Sequence, residues 1–226
     1  MAFEVYDFRK DIRNVLVTPE IRARFLQIDV GKISGGPRPG QGHSHDLGHE
    51  VFLILQGKAE FEIDGDTRVV GPGQMCVALV DEVHTVRNVG DEPVIMYLSV
   101  TPHIQPTHTF WTNEGEKAPP KFNPFKTYDV PPDNETPIAN LVEQQTKAVE
   151  ALQTSVDHAS HVQKEQLNIF KNSMEDGNPD AALKARDDMW AALYPMFQQV
   201  FALANVWNTL TYRTAEPEFQ AERTAR

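Results

Sequence analysis

The chain has 226 residues, of which 40% are hydrophobic and 23% are charged, and its formal net charge is −11. This composition is typical of a globular protein, and the length suits one large domain or one domain with an extension. Because an acidic protein repels phosphate groups, we expect neither nucleic acid nor an anionic membrane surface as a partner. The single cysteine, Cys76, excludes an internal disulfide. Residues 1–13 contain no continuous apolar segment, so we expect no signal peptide and a cytoplasmic protein.

A series of short β segments is predicted between residues 21 and 100. Each is rich in apolar or β-branched residues and is bounded by turn signals such as Asp64-Gly65-Asp66. In the first segment, Ala23, Phe25 and Gln27 are expected to share one face. The predicted strands are 21–30, 50–55, 58–63, 67–70, 75–80, 83–88 and 94–100. Such a run of short strands is typical of an all-β sandwich or barrel.

Residues 34–40 and 102–137 are predicted to be irregular. The first stretch is dominated by glycine and proline, and the second contains eight prolines. The second stretch also contains five aromatic residues, which a disordered linker rarely carries. We therefore expect residues 102–137 to wrap across the β domain in an ordered path.

After Pro137 the apolar period changes from 2 to 3.6, which predicts a helix of about 35 residues. Gly177 and Asn178 then provide a helix exit and an N-cap, and a second helix is expected from about Asp180 to Thr211. Two helices alone cannot bury their apolar stripes, so they must pack on the β domain or on another subunit. We therefore predict a homo-oligomer, with a dimer favoured.

Six of the eight histidines lie between His43 and His108. His43 and His45 are two residues apart, so their imidazoles point to one side of an extended segment. Glu50 begins the next apolar strand, and His84 faces the same interior from a later strand. Three imidazoles and one carboxylate suit Fe, Mn, Ni, Zn, Co or Cu, and we predict one divalent transition metal.

The first histidine cluster resembles a motif of the cupin superfamily. In this chain the cluster has the sequence Gly36-x6-His43-x-His45-x4-Glu50-x6-Gly57. The family motif has a glycine, a His-x-His, a glutamate three or four residues on, and a glycine six residues further. The first glycine lies one residue early. All three ligand positions of this motif are filled.

The segment around His84 resembles the second cupin motif. It reads Gly73-x5-Leu79-x-Asp81-x2-His84-x3-Asn88, where the family has a glycine, a Pro-x-Gly and a His-x3-Asn. Leu79 and Asp81 replace the family's proline and glycine, so the turn before His84 is expected to be rebuilt. The fourth ligand position is filled as well.

The resemblance covers about residues 21–102 and implies an all-β jelly-roll barrel with a metal in its mouth. We therefore predict a cupin β-barrel over residues 1–132, followed by a C-terminal α-helical hairpin over residues 133–226. Cupins include dioxygenases, decarboxylases, isomerases, lyases, storage proteins and regulators. The family alone therefore does not select a reaction.

The leading functional hypothesis is a metal-dependent enzyme acting on a small organic molecule, with dioxygenase-like chemistry first and lyase or isomerase chemistry second. The alternative is a non-catalytic metal- or metabolite-binding module. An enzyme needs a proton-transferring group near the metal, and the candidates are His103, His108 and Tyr97.

Other histidines are not assigned as metal ligands. His49 is expected to turn away from the metal because it neighbours Glu50 on the strand. His158, His161 and Glu165 share a helix face that is interpreted as solvated.

Overall fold

The computed structural model describes residues 3–36, 42–112, 114–217 and 219–220. The chain divides into two compact units. The first comprises the chain up to Asp133 together with the residues from Thr211 onward, and the second comprises Asn134–Leu210. The first unit contains the strands, and the second consists of helix.

The first unit is built from eleven strands: β1 (Asn14–Val17), β2 (Arg22–Ile28), β3 (Ile33–Ser34), β4 (His43–Ser44), β5 (His49–Gln56), β6 (Ala59–Ile63), β7 (Asp66–Val70), β8 (Met75–Ala78), β9 (His84–Asn88), β10 (Val94–Thr101) and β11 (Thr109–Phe110). All seven predicted strands are present. The four additional ones, β1, β3, β4 and β11, are only two to four residues long, which is too short for a period-2 pattern to be read from sequence.

The strands form two antiparallel sheets. The first has the order β1-β2-β10-β5-β8, and the second has the order β11-β4-β9-β6-β7, with β3 also beside β9. Among the described residues no strand is hydrogen-bonded into both sheets. The jelly-roll fold is therefore confirmed, but the expected closed barrel is corrected to two open sheets.

The main hydrophobic core lies on the inner faces of these sheets. Phe52 and Ile54 from β5, Phe61 from β6, and Met96 and Leu98 from β10 belong to it. Buried apolar surface of this kind provides most of the stability of a small β domain.

Strand β2 turns the face that carries Leu26 and Ile28 toward the core. Leu26 and Ile28 pack on the core, so Arg22 and Arg24 share their inner face by strand alternation. Phe25 instead packs against Tyr97, with ring centroids 6.3 Å apart. Ala23, Phe25 and Gln27 do share one face, but it is the outer one.

The proline-rich segment has an ordered path. It contains β11 and a 3₁₀ helix, Phe125–Tyr128. Phe125 and Tyr128 are buried and form a second apolar cluster with Tyr212. Phe110 and Phe122 from the same segment are exposed.

Two long helices follow, α1 (Ile138–Glu175) and α2 (Pro179–Thr214). Gly177 between them has a φ of 68°. Asn178 caps α2 as predicted, because its Oδ1 accepts a hydrogen bond from Ala181 N at 3.2 Å. No helix in the described part of the chain is long and apolar enough to span a membrane.

Within the helical unit, the buried positions are mainly alanines. They are Leu141, Ala159, Ala182, Ala185, Ala192, Ala204 and Asn208. Several larger apolar residues of the two helices are exposed: Val149, Val156, Met174, Leu183, Trp190 and Phe197. In the one side-chain hydrogen bond between the helices that is described, Gln163 Nε2 donates to Met189 O at 3.0 Å.

Candidate metal centre

The four predicted ligands come together from both sheets. His43 on β4 is the register partner of His84 on β9, and His45 follows β4 directly. Glu50 lies on β5 in the other sheet. Each has one ligand atom in the cluster, and all four atoms lie within 4.8 Å of one another.

Gly42 explains how β4 reaches β9 at this point. A Cβ atom at residue 42 would lie 2.0 Å from the carbonyl oxygen of His84, a separation that no side chain permits. Glycine at this position therefore allows the close approach that pairs His43 with His84. The sequence motif drew attention to Gly36 instead.

The rebuilt turn before His84 depends on Asp81. This residue has a φ of 65°, the left-handed conformation for which the family motif has glycine. Aspartate tolerates this region better than most residues. Asp81 N also donates to His45 O at 3.0 Å, so the turn is tied to the segment that carries another ligand.

The Glu50 carboxylate is the centre of the cluster. Its Oε2 lies 2.7 Å from His84 Nε2, 2.9 Å from His45 Nε2 and 3.8 Å from His43 Nε2. His45, Glu50 and His84 are buried, and His43 is half-buried. Four donor atoms around one point in a buried setting are the arrangement that a transition metal requires.

Two of the histidines are oriented by hydrogen bonds that their Nδ1 atoms donate. His45 Nδ1 donates to the carbonyl oxygen of Thr107. His84 Nδ1 donates to the carbonyl oxygen of Glu82 at 3.0 Å. Because these bonds place a proton on Nδ1, the Nε2 lone pairs are left for a metal ion.

The electrostatics match a cation site. Burial alone would raise the pKa of Glu50, but contacts with the three histidines hold that pKa well below its usual range. Burial lowers the pKa of His43, which favours the neutral form that binds metal. For His84, the opposing effect of burial is outweighed by the contact with Glu50, and the pKa is raised. The residues fit a divalent metal ion.

His108 lies beside this cluster. Its ring centroid is 4.8 Å from that of His43 and 4.9 Å from that of His45. Burial, together with His43 and Arg22, holds the pKa of His108 well below its usual range. Of the three residues predicted to transfer protons, His108 is the one that lines a cavity at the ligand cluster.

The other two candidates lie elsewhere. His103 is fully buried, with Nε2 3.0 Å from Tyr212 Oη and Nδ1 3.1 Å from Thr107 Oγ1. Burial, Arg22 and His45 lower its pKa to about 3. Tyr97 lies on β10 on the opposite face from Leu98, which lines the cavity. Their catalytic roles stay predictions.

His49 lies outside the cluster, as expected. It is exposed, and its Nδ1 accepts a hydrogen bond from Val80 N at 3.1 Å. On α1, His161 and Glu165 form an exposed pair at 3.3 Å, which agrees with a solvated helix face.

Two cavities adjoin the ligand cluster. An inner one of about 180 Å³ is lined by His43, Glu50 and His84, and also by Arg22 and Arg24. An outer one of about 410 Å³ shares His43, His108 and Thr127 with it.

The two arginines are the site residues that the sequence analysis missed. The sequence contains a signal for them, because Arg22 and Arg24 alternate along β2 with the same spacing of two as the apolar residues Leu26 and Ile28. All four side chains therefore lie on one face of the strand.

A family model described as a cupin domain matches residues 30–101. These residues are a cupin domain. The match contains all four ligand positions, and it confirms the resemblance of the two motifs to the cupin superfamily.

The relatives of this cupin domain are partial matches. "Polyketide synthase CurC" from Streptomyces cyaneus is 30% identical over 91 residues, which are 37% of this chain and 59% of that protein. The chain thus spans little more than half the length of that curated relative.

Two solved structures illustrate the likeness of the cupin domain to other proteins. One is a conserved protein with a double-stranded β-helix domain from Klebsiella pneumoniae, at 21% identity and a TM-score of 0.40, covering 45% of this chain and 91% of that one. The other is an oxalate oxidase in complex with the substrate analogue glycolate, at 20% identity and a TM-score of 0.32, covering 37% and 42%.

Proposed function

We propose that this cupin protein is a metal-dependent enzyme that acts on a small organic molecule. The observation that carries the proposal is the shared inner cavity, whose wall contains three of the four ligands and His108. A binding module needs a shaped cavity alone, whereas an enzyme also needs a group that can move a proton.

The residues of the site have three proposed roles: metal binding, proton transfer and exclusion of water. His43, His45, Glu50 and His84 would hold the metal, which when bound supplies Lewis acidity to a coordinated oxygen of the substrate. His108, which lines the inner cavity, would accept a proton from a substrate bound there. The surrounding apolar residues Phe52, Val86 and Leu98 exclude water from that space.

This arrangement favours proton-transfer chemistry, as in a lyase or an isomerase, over dioxygenase-like chemistry. The preference reverses the order expected from the family resemblance. Its reason is the position of His108 next to His43 and His45, where an imidazole is placed to take a proton from a bound substrate. The dioxygenase-like reaction is the second candidate, and a non-catalytic binder is the third.

Solvent exchange tests the proposal directly. Metal-loaded protein is incubated in D₂O with a panel of small carbonyl compounds, and loss of the α-proton signal is followed by NMR. We expect exchange with at least one compound, and we expect His108→Gln to slow it by about 10²–10⁴-fold without loss of metal. His161→Gln, an exposed histidine on α1, is the matched control.

The outcomes separate the three candidates. Oxygen consumption by the Fe(II)-loaded protein, with no solvent exchange, would replace proton transfer by an oxygen-dependent reaction. Absence of both, with a small molecule still bound at the site, would leave the binding module and overturn the enzyme proposal.

We also propose a homodimer formed through the helical unit. What supports it is the spacing of exposed apolar residues: Val142, Val149 and Val156 lie seven residues apart on α1, so they share one helix face. On α2, Trp190, Tyr194 and Phe197 form a similar exposed stripe. Stripes of this kind are typical of helices that pack against another helix pair.

A further inference from the structure

Two arginines face the metal ligands across the inner cavity. Arg22 and Arg24 are two residues apart on β2 and therefore project from the same face of the strand. Both line the cavity that His43, Glu50 and His84 also line. Arg22 is 4% exposed, so this charged side chain is held inside the domain.

The protein does not satisfy these guanidinium groups fully. The Nε atoms of Arg22 and Arg24 are buried, and neither has a hydrogen-bond acceptor in the described part of the chain. The nearest carboxylate oxygen to Arg22 is Glu50 Oε1, 3.7 Å from Nη2, which is beyond hydrogen-bond length. An arginine has five donors, and leaving buried ones unmet costs free energy.

Other charges around the arginines do not supply the missing partner. Arg22 stacks over the ring of Tyr128, with Cζ 5.4 Å from the centroid, which is a weak interaction. Asp129 attracts Arg24 electrostatically, but its Oδ2 already accepts two hydrogen bonds from Asn14, both at 2.9 Å. Asp129 is also exposed, which weakens its effect.

The charges at this site leave an excess of positive charge. Two guanidinium groups face the single carboxylate of Glu50, and a divalent metal at the cluster would add further positive charge. Buried charge of one sign is costly unless an opposite charge enters with its hydrogen bonds. An anionic ligand would supply both the charge and the acceptors.

We propose that Arg22 and Arg24 form a carboxylate subsite, and that the ligand of this protein is a small organic acid. The inference rests on the proposed function for what happens to that acid, but the subsite itself requires only binding. Guanidinium groups pair with carboxylates through parallel hydrogen bonds. The acid's remaining atoms then lie in a cavity whose wall carries the metal ligands and His108.

The size of the inner cavity restricts the acid. At about 180 Å³, the space is smaller than the cavities that take drug-sized ligands. A short-chain acid fits this description, with any larger substituent extending toward the outer cavity past His43 and His108.

The test compares a small dianion with its neutral isostere. Calorimetric titration of the metal-loaded protein measures binding of malonate, of malonamide and of inorganic phosphate. We expect malonate to bind at least about tenfold more tightly than malonamide, and more tightly than phosphate. Equal binding of malonate and malonamide would overturn the subsite, and tighter binding of phosphate would overturn its assignment to a carboxylate.

Because malonate can also contact the metal, variants are used to distinguish the contribution of the arginines to malonate binding from that of the metal. Arg24→Gln is expected to weaken malonate binding by about tenfold with unchanged metal content. Arg68→Gln, at an exposed arginine on β7, is the matched control and is expected to bind normally. Unchanged malonate binding by Arg24→Gln would overturn the proposal. Arg24 is the primary target because Arg22 is more deeply buried and its loss endangers folding.

The result is independent of the enzyme proposal. Arginine-dependent malonate binding without solvent exchange or oxygen consumption would support the subsite and refute the enzyme. Solvent exchange by the metal-loaded protein, together with malonate binding that Arg24→Gln leaves unchanged, would support the enzyme and refute the subsite.

Discussion

Arg22 Nη2 lies 3.7 Å from Glu50 Oε1, while the other oxygen of the same carboxylate faces the three histidines. Glu50 therefore lies between the arginine pair on one side and the three histidines, which would hold a metal ion, on the other. This position connects the candidate metal centre with the proposed carboxylate subsite. The same position also explains why the ionised carboxylate of Glu50 is tolerated in the interior of the domain.

Removal of metal is expected to destabilise the protein. An ion that binds the folded state alone adds about 4 kcal/mol when its concentration is a thousand times its dissociation constant. Thermal unfolding should therefore shift to lower temperature after dialysis against a chelator and recover when metal is returned. An unchanged unfolding temperature would contradict a metal bound at these four residues.

Gly42→Ala is expected to separate β4 from β9. The added Cβ would lie 2.0 Å from the carbonyl oxygen of His84, and overpacking of this kind costs about 1–3 kcal/mol. Both the free energy of unfolding and the metal affinity should fall. Gly71→Ala is the control, because its Cβ would meet only Gln74 Oε1, at 3.7 Å. Equal behaviour of the two variants would argue against the close approach at Gly42.

The turn at Asp81 gives a further prediction. A β-branched residue at a φ of 65° is strained, so Asp81→Val should lower the free energy of unfolding by about 1–3 kcal/mol. Asp81→Gly relieves the same strain and should be tolerated. Urea denaturation of both variants provides the comparison, and equal stability of the two would show that the left-handed turn is not required.

Charge placed on the apolar stripe of α2 should break the proposed dimer. Trp190→Glu and Phe197→Glu are expected to give monomers by light scattering at micromolar concentration, with helix content by circular dichroism unchanged. Lys184→Glu, at an exposed position on the same helix, should behave like the unaltered protein. A monomeric unaltered protein, or dimeric variants, would refute this interface.

The ligand cluster could be predicted from sequence because its residues are few, chemically distinctive and fixed in spacing. His43 and His45 point to the same side of an extended segment. Glu50 is the second residue of β5 and His84 is the first residue of β9, and the apolar pattern marks both strands clearly. The proposed proton-transferring residue could not be chosen in the same way. His108 reaches the cluster from an irregular, proline-rich segment, where no periodicity indicates which way a side chain points.

The arginine pair and the helix faces were missed for a different reason. Apolar character was used to choose the inner face of a strand or helix. On β2 the inner face carries Arg22 and Arg24 beside Leu26 and Ile28. On the helices, small residues such as Ala159 and Ala185 are buried, and larger ones such as Trp190 are exposed. On the helices, only tertiary packing decides which of these residues are buried.

The central claim is that His43, His45, Glu50 and His84 hold one transition metal ion. Elemental analysis of protein purified without added metal tests it most directly, with His84→Ala compared against His161→Ala, an exposed histidine on α1. About one metal ion per chain is expected in the unaltered protein and in His161→Ala, and loss of that metal is expected in His84→Ala. Full retention of metal by His84→Ala would contradict it.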